Sequence, residues 1–159
     1  MVLRPPKNSE AQNAAAPSLR AQAVRLLARR ECSRAELEAR LVAKGASRAD
    51  VTAVLDELAA LGYVSNERYA RAFAEQKAGR YSQRSIASEL KYKGVNADDI
   101  GAAMATAGVD DASALEALWQ RRFGRPPADN REKARQVRFL QARGFSLSAI
   151  LGLLRKVAV

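Results

Sequence analysis

The feature that most constrains this chain is a short pattern recurring at nearly even spacing. Its middle copy reads Leu90, Lys93, Gly94, Val95, Asn96 and Ile100. The same order appears upstream as Leu41, Lys44, Gly45, Ala46, Ser47 and Val51, and downstream as Leu140, Arg143, Gly144, Phe145, Ser146 and Ile150. The three glycines are offset by 49 and 50 residues, near the upper end of the period of tandem structural repeats. Each copy spells a helix end, a turn and a new helix start. The glycine suits the left-handed conformation that closes a helix, and the Ser or Asn two residues later suits the N-cap of the next. One unit used three times is therefore expected: an all-α, elongated array of three tandem three-helix repeats.

The boundaries follow from the caps and breakers between the copies. Residues 1–17, with Pro5, Pro6, Asn8, Ser9, Asn13 and Pro17, read as a flexible leader. Repeat 1 spans 18–63. Ser18 caps a helix with Leu19, Ala23, Leu26 and Leu27 on one face, ending near Glu31. Ser33 with Glu36 then makes a capping box, stapled by Cys32 and Leu37, and Ser47 with Asp50 starts the third helix. Repeat 2 spans 64–109: Ser65 or Asn66 caps a helix bearing Tyr69 and Phe73, and Tyr81, Ser82 and Ile86 repeat the staple. Repeat 3 spans 110–159, with Leu115, Leu118, Trp119 and Phe123 on one stripe before Gly124 and Pro126-Pro127 stop the helix. Trp119 is read as a core anchor in preference to a stacking platform for a base. No sustained two-residue alternation occurs, so almost no sheet is expected.

Catalytic readings find little support. The chain has no His to shuttle protons near neutral pH, and it contains neither a phosphate-cradling G-x-x-x-x-G-K-[ST] loop nor a G-x-S-x-G nucleophile turn. One Cys and no His leave no Cys/His zinc site and no intramolecular disulfide, which fits a reducing cytoplasm. Cys32 is read as a small core residue. Asp98 and Asp99 sit at a helix start, where they complement its dipole. No enzyme activity, metal or cofactor is expected, and no run approaches the ~18 apolar residues that would span a bilayer.

Charge is more informative. Lys and Arg number 27 against 17 Asp and Glu, a formal excess of +10 that favours acidic or polyanionic partners, although solubility alone can also produce such a balance. In repeat 2 the candidate contacts are Arg68, Arg71, Lys77, Arg80, Arg84, Lys91 and Lys93. In repeat 3 they are Arg121, Arg122, Arg125, Lys133, Arg135, Arg138 and Arg143, with Arg131 among them. Aligned repeats would join them into a positive strip facing a nucleic-acid backbone or an acidic protein groove; the alternative is a solvated face broken by Glu75, Glu89 and Glu132. A helix-turn-helix reader of duplex DNA is less favoured, because the helices after Gly94 and Gly144 carry few Arg, Asn or Gln near their starts.

The residues also resemble a known family. From about Ser18 to Val157 the chain is similar to RecX, the regulators of the RecA recombinase. The matching stretches are Leu26 to Leu41 (L-L-A-R-R-E-C-S-R-A-E-L-E-A-R-L), Leu58 to Ala74 with its G-Y-V-S-N-E-R-Y-A core, Ser82 to Gly94, and Leu140 to Phe145 (L-Q-A-R-G-F). The resemblance implies chains of three-helix repeats that bind along RecA filaments on single-stranded DNA. It further implies inhibition of strand exchange, ATP hydrolysis and co-protease activity by blocking filament extension or promoting disassembly. The expected protein is a cytoplasmic monomer whose partner is RecA, with possible direct contact to the DNA backbone; the alternative is a basic module that binds DNA without RecA. Two positions depart from the family: Asn66 stands where an Asp is usual, and Ser82-Gln83 where a Gly commonly precedes Arg84-Ser85-Ile86. Asn caps as well as Asp, whereas the second change bears on the turn before that helix.

Overall fold

The computed structural model describes residues 17–108 and 110–159, and the proposed leader lies almost wholly outside them. Among the described residues there are nine α-helices: α1 (Leu19–Arg29), α2 (Arg34–Ala43), α3 (Arg48–Ala60), α4 (Asn66–Lys77), α5 (Gln83–Tyr92), α6 (Ala97–Ala107), α7 (Asp111–Arg122), α8 (Asn130–Ala142) and α9 (Leu147–Val157). The only extended pairing among them is an isolated bridge between Ala78 and Tyr81. The all-α expectation holds.

The recurring pattern makes the same turn three times. After α2, the Ala46 N–H donates to the Leu41 carbonyl at 3.3 Å and the Gly45 N–H to Val42 at 3.0 Å. After α5, Val95 donates to Leu90 at 3.1 Å and Gly94 to Lys91 at 3.0 Å; after α8, Phe145 donates to Leu140 at 3.3 Å and Gly144 to Gln141 at 2.9 Å. These paired bonds satisfy carbonyls that a helix end leaves without partners, and they require the left-handed backbone that the three glycines adopt. The next polar residue then caps the following helix: Ser47 accepts from the Asp50 N–H, Asn96 from Asp99 and Ser146 from Ala149.

The chain divides into two compact units that meet in sequence between Ser65 and Asn66. In the first, α1, α2 and α3 enclose Ala23, Cys32, Leu37, Leu41, Val51, Leu55 and Leu58, all fully buried. Ser18 and Ser33 cap α1 and α2 as expected, and α1 stops at Arg29. Burial pushes the Cys32 thiol up, with the nearby Glu36 carboxylate adding to the shift, so it is a poor nucleophile. Arg20 pairs with Glu57, Arg34 with Asp56, and Arg48 with Glu38 at 3.3 Å.

The second unit contains two such cores. Tyr69, Ala70, Ala74, Ile86, Leu90, Val95 and Ala103 are buried among α4, α5 and α6, where alanines let α4 and α6 lie close together. Ala114, Leu115, Leu118, Trp119, Leu140, Phe145, Ile150, Leu153 and Leu154 are buried among α7, α8 and α9. Trp119 is the expected core anchor: its indole N–H donates to Gln136 Oε1 at 2.9 Å, and Gln136 in turn donates to the Arg125 carbonyl at 3.3 Å. A polar residue on α8 is thus buried because it satisfies both an indole and a loop carbonyl.

A seam and a basic groove in the second unit

The two cores of the second unit meet along a seam built by backbone as much as by side chains. The Ser82 N–H donates to the Arg143 carbonyl at 3.0 Å, the Gln83 N–H to Asp111 Oδ1 at 2.8 Å, and the Arg121 guanidinium to the Gly79 carbonyl at 3.0 Å. At the centre, Gly144 approaches the first turn of α5 so closely that an added Cβ would stand 2.4 Å from Ser82 Oγ and 2.6 Å from Ser85 Cβ. Ser82, where the resemblance led to the expectation of a glycine nearby, therefore lies on the seam. Ser82 is buried there and caps α5 by accepting from the Ser85 N–H at 3.1 Å, while Gly79, at φ +79°, turns the chain ahead of it.

Alternating cations and rings line one side of the same seam. Lys77 Nζ lies 5.7 Å from the Phe73 ring centre and 5.0 Å from that of Tyr81; the Arg143 guanidinium lies 4.8 Å from Tyr81 and 5.0 Å from Phe139. Arg122 continues the series at 5.2 Å from Phe139, which also meets Phe123 edge-on at 5.5 Å. Each such contact contributes about 0.5–1 kcal/mol when solvent-exposed.

The candidate cations are thereby sorted. Arg121 and Arg143 cross the seam, Lys77 and Arg122 stack beside it on rings of their own repeats, and Arg71 pairs with Glu67 at 3.1 Å along α4. Arg68 and Arg80 are exposed on α4 and the turn after it, Lys91 is exposed near the end of α5, and Lys93 is half-buried at its C-cap. Arg125 is exposed beside the prolines, and Lys133 lines a smaller cavity with Pro126, Leu151, Leu154 and Arg155. Arg135 and Arg138 share a face of α8 with Arg131 and border a cavity of about 540 Å³ with Asp129 and Glu132. Arg84 stands apart from these. With Ser85 and Ser88 it forms one wall of a groove of about 660 Å³, whose opposite wall is Gln141 and the start of α9 from Ser146 to Ala149.

Two features of this region go beyond the sequence reading. Phe139 serves as a platform for two arginines, a role that its place among the cations of α8 foreshadows. Tyr92 is 91% exposed, although most large apolar side chains of the unit are covered. Its sequence signal is its place off the buried Ile86–Leu90 stripe. Among the described residues, no group of His, Cys, Asp and Glu side chains is placed to hold a metal, and no helix is long and apolar enough to cross a membrane.

This arrangement of three cores matches known proteins throughout. Family models described as the first, second and third three-helix domains of RecX match residues 20–58, 65–104 and 110–154. A regulatory protein RecX of Chromobacterium violaceum is 44% identical over 133 residues, covering 84% of this chain and 86% of its own. One of Ralstonia pickettii is 42% identical over 133 residues, with 84% of each chain covered. The crystal structure of RecX from Lactobacillus salivarius has the same fold, with a TM-score of 0.65 at 16% identity over 88% of this chain and 94% of its own. With a domain model on each three-helix core and that identity across most of its length, the chain belongs to the RecX family of regulatory proteins.

Proposed function

We propose that this protein is a regulator of the RecA recombinase, binding RecA and its filaments on single-stranded DNA. It inhibits strand exchange, ATP hydrolysis and co-protease activity by blocking filament extension or promoting filament disassembly. It acts by binding, not by catalysis, as a cytoplasmic monomer. The observation that carries this reading is the match of all three RecX domains, in order, along one chain. The charge supports it: most of the excess of Lys and Arg lies after Ser65, and several of those cations are exposed and not engaged at the seam. Such side chains favour acidic RecA surface or filament-bound phosphates, and several weak contacts on one rigid unit raise effective concentration.

The test is RecA's ATP hydrolysis on single-stranded DNA during titration with this protein, with binding to naked DNA measured in parallel. Inhibition at levels well below RecA supports a filament regulator. Inhibition only when the protein suffices to coat the DNA reduces the activity to competition, and unchanged hydrolysis refutes the proposal. Reversing Arg84, Lys91 and Lys93 together to Glu should weaken inhibition without unfolding the protein; full inhibition by that variant removes these cations from the interface.

A further inference from the structure

The groove beside Arg84 and the exposed ring of Tyr92 lie on one helix face. Arg84, Ser88 and Tyr92 are spaced i, i+4 and i+8 on α5, so they stack in one row along its surface. Arg84 and Ser88 line the groove of about 660 Å³ and Tyr92 is one turn beyond it, flanked in sequence by Lys91 and Lys93. Asp111, the acid among the lining residues, already accepts the Gln83 N–H at 2.8 Å. Gln141 and Ser146 add neutral polar groups on the facing wall.

We infer that this groove binds a segment of single-stranded nucleic acid, with Arg84 on a phosphate and a base stacked on Tyr92. Arg84 on the row, with Lys91 and Lys93 on either side of Tyr92 in sequence, supplies positive charge for a phosphate backbone, and the aromatic face accepts any base, since every base has a π-face. An acidic protein partner suits the row less well. A protein hot spot needs the aromatic ring enclosed by an occluding rim, whereas the residues that flank Tyr92 in sequence and a turn away are Lys91, Lys93, Ser88 and Glu89. Stacking needs only one open face. Binding at this site needs no RecA, so it goes beyond the proposed regulation.

The test is fluorescence anisotropy of the full-length protein with a labelled thymidine oligomer of about 16 nucleotides, across a salt series and without RecA. Tyr92→Ala is expected to weaken binding about tenfold while leaving the slope of log K against log salt unchanged, because stacking releases no counterions. Tyr92→Phe should bind like the wild type. Arg84→Gln should flatten that slope by about 0.7, the share of one phosphate contact on a single strand. An abasic oligomer should bind the wild type and Tyr92→Ala equally. Tyr92 is almost fully exposed, so its variants leave the core intact, and far-UV circular dichroism verifies this.

Wild-type protein that ignores the oligomer at low salt overturns the inference. So does a Tyr92→Ala variant that binds normally, or one that loses affinity equally for the abasic strand or for polyglutamate. RecA inhibition by the same variants is scored separately. Loss of oligomer binding with full inhibition leaves both proposals standing at different surfaces, whereas unaffected oligomer binding sinks only the groove.

Discussion

The turn at Gly45 and the turn at Gly144 are the same local object in two different settings. Both close a helix with the same pair of backbone bonds, both have φ near +100°, and both are followed by a Ser that caps the next helix. A Cβ on Gly45 would meet nothing within 4 Å, whereas one on Gly144 would overlap Ser82 and Ser85. Gly45 is glycine for its backbone conformation alone. Gly144 is glycine for that reason and because a neighbouring helix comes too close for any side chain. A repeated motif thus sets a repeated turn, and tertiary position gives one copy a second task.

The comparison sharpens most at the leucines that start the two turns. Leu41 and Leu140 are both fully buried, so Leu41→Ala and Leu140→Ala should each cost about 2–5 kcal/mol. Trp119 is the only tryptophan and belongs to the second unit. In urea, its fluorescence should shift with Leu140→Ala, while Leu41→Ala should move the circular dichroism of the first unit. A Leu41→Ala change that shifts the tryptophan transition equally would show the two units unfolding as one.

The glycines should then diverge. Gly45→Ala should cost about 1–2 kcal/mol for a side chain in the left-handed region. Gly144→Ala should add about 1–3 kcal/mol of overpacking to that cost. Equal losses in urea melts would break the comparison. Next in size, Arg143→Gln should cost about 1–2 kcal/mol through its two ring contacts, with Tyr81→Leu making the second arm of a double-mutant cycle. A coupling near zero would remove the cation and ring pairing from the seam's stability.

The smallest effect should come from acid. Two hydrogen bonds from Ser113, its backbone N–H and its hydroxyl, hold the exposed Asp110 carboxyl below the usual range. A depressed folded-state pKa adds stability that is present above the unfolded value and is lost as the pH falls through the folded one. The protection of the Ser113 amide, its intrinsic exchange rate relative to the observed rate at the same pH, should therefore fall on acidification below the ordinary aspartate range, while that of the Asp50 amide, capped by the neutral hydroxyl of Ser47, should change less.

Much of the architecture was legible because it rests on local rules. Caps at Ser18, Ser33, Ser47, Ser82, Asn96 and Ser146 need only a side-chain oxygen a few bonds from a free N–H, and the stripes through Leu37 and Leu41 or Leu115 and Trp119 follow from helical period. The candidate site was legible only as a charge inventory. Nothing in the local sequence separates Arg143, folded onto Tyr81 and Phe139, from Arg84 beside an open groove. Gln136 was invisible for the same reason, since its burial depends on an indole seventeen positions away.

The sequence by itself determined the helices, their ends and their threefold recurrence, because hydrogen bonds that close a turn span only five or six residues. Tertiary structure alone decided which cations are spent on a seam and which stand free of it. It also decided that one turn glycine packs while another merely bends. Those outcomes depend on the approach of chain segments far apart in sequence, such as Ser82 and Arg143, whose 3.0 Å contact no local pattern encodes.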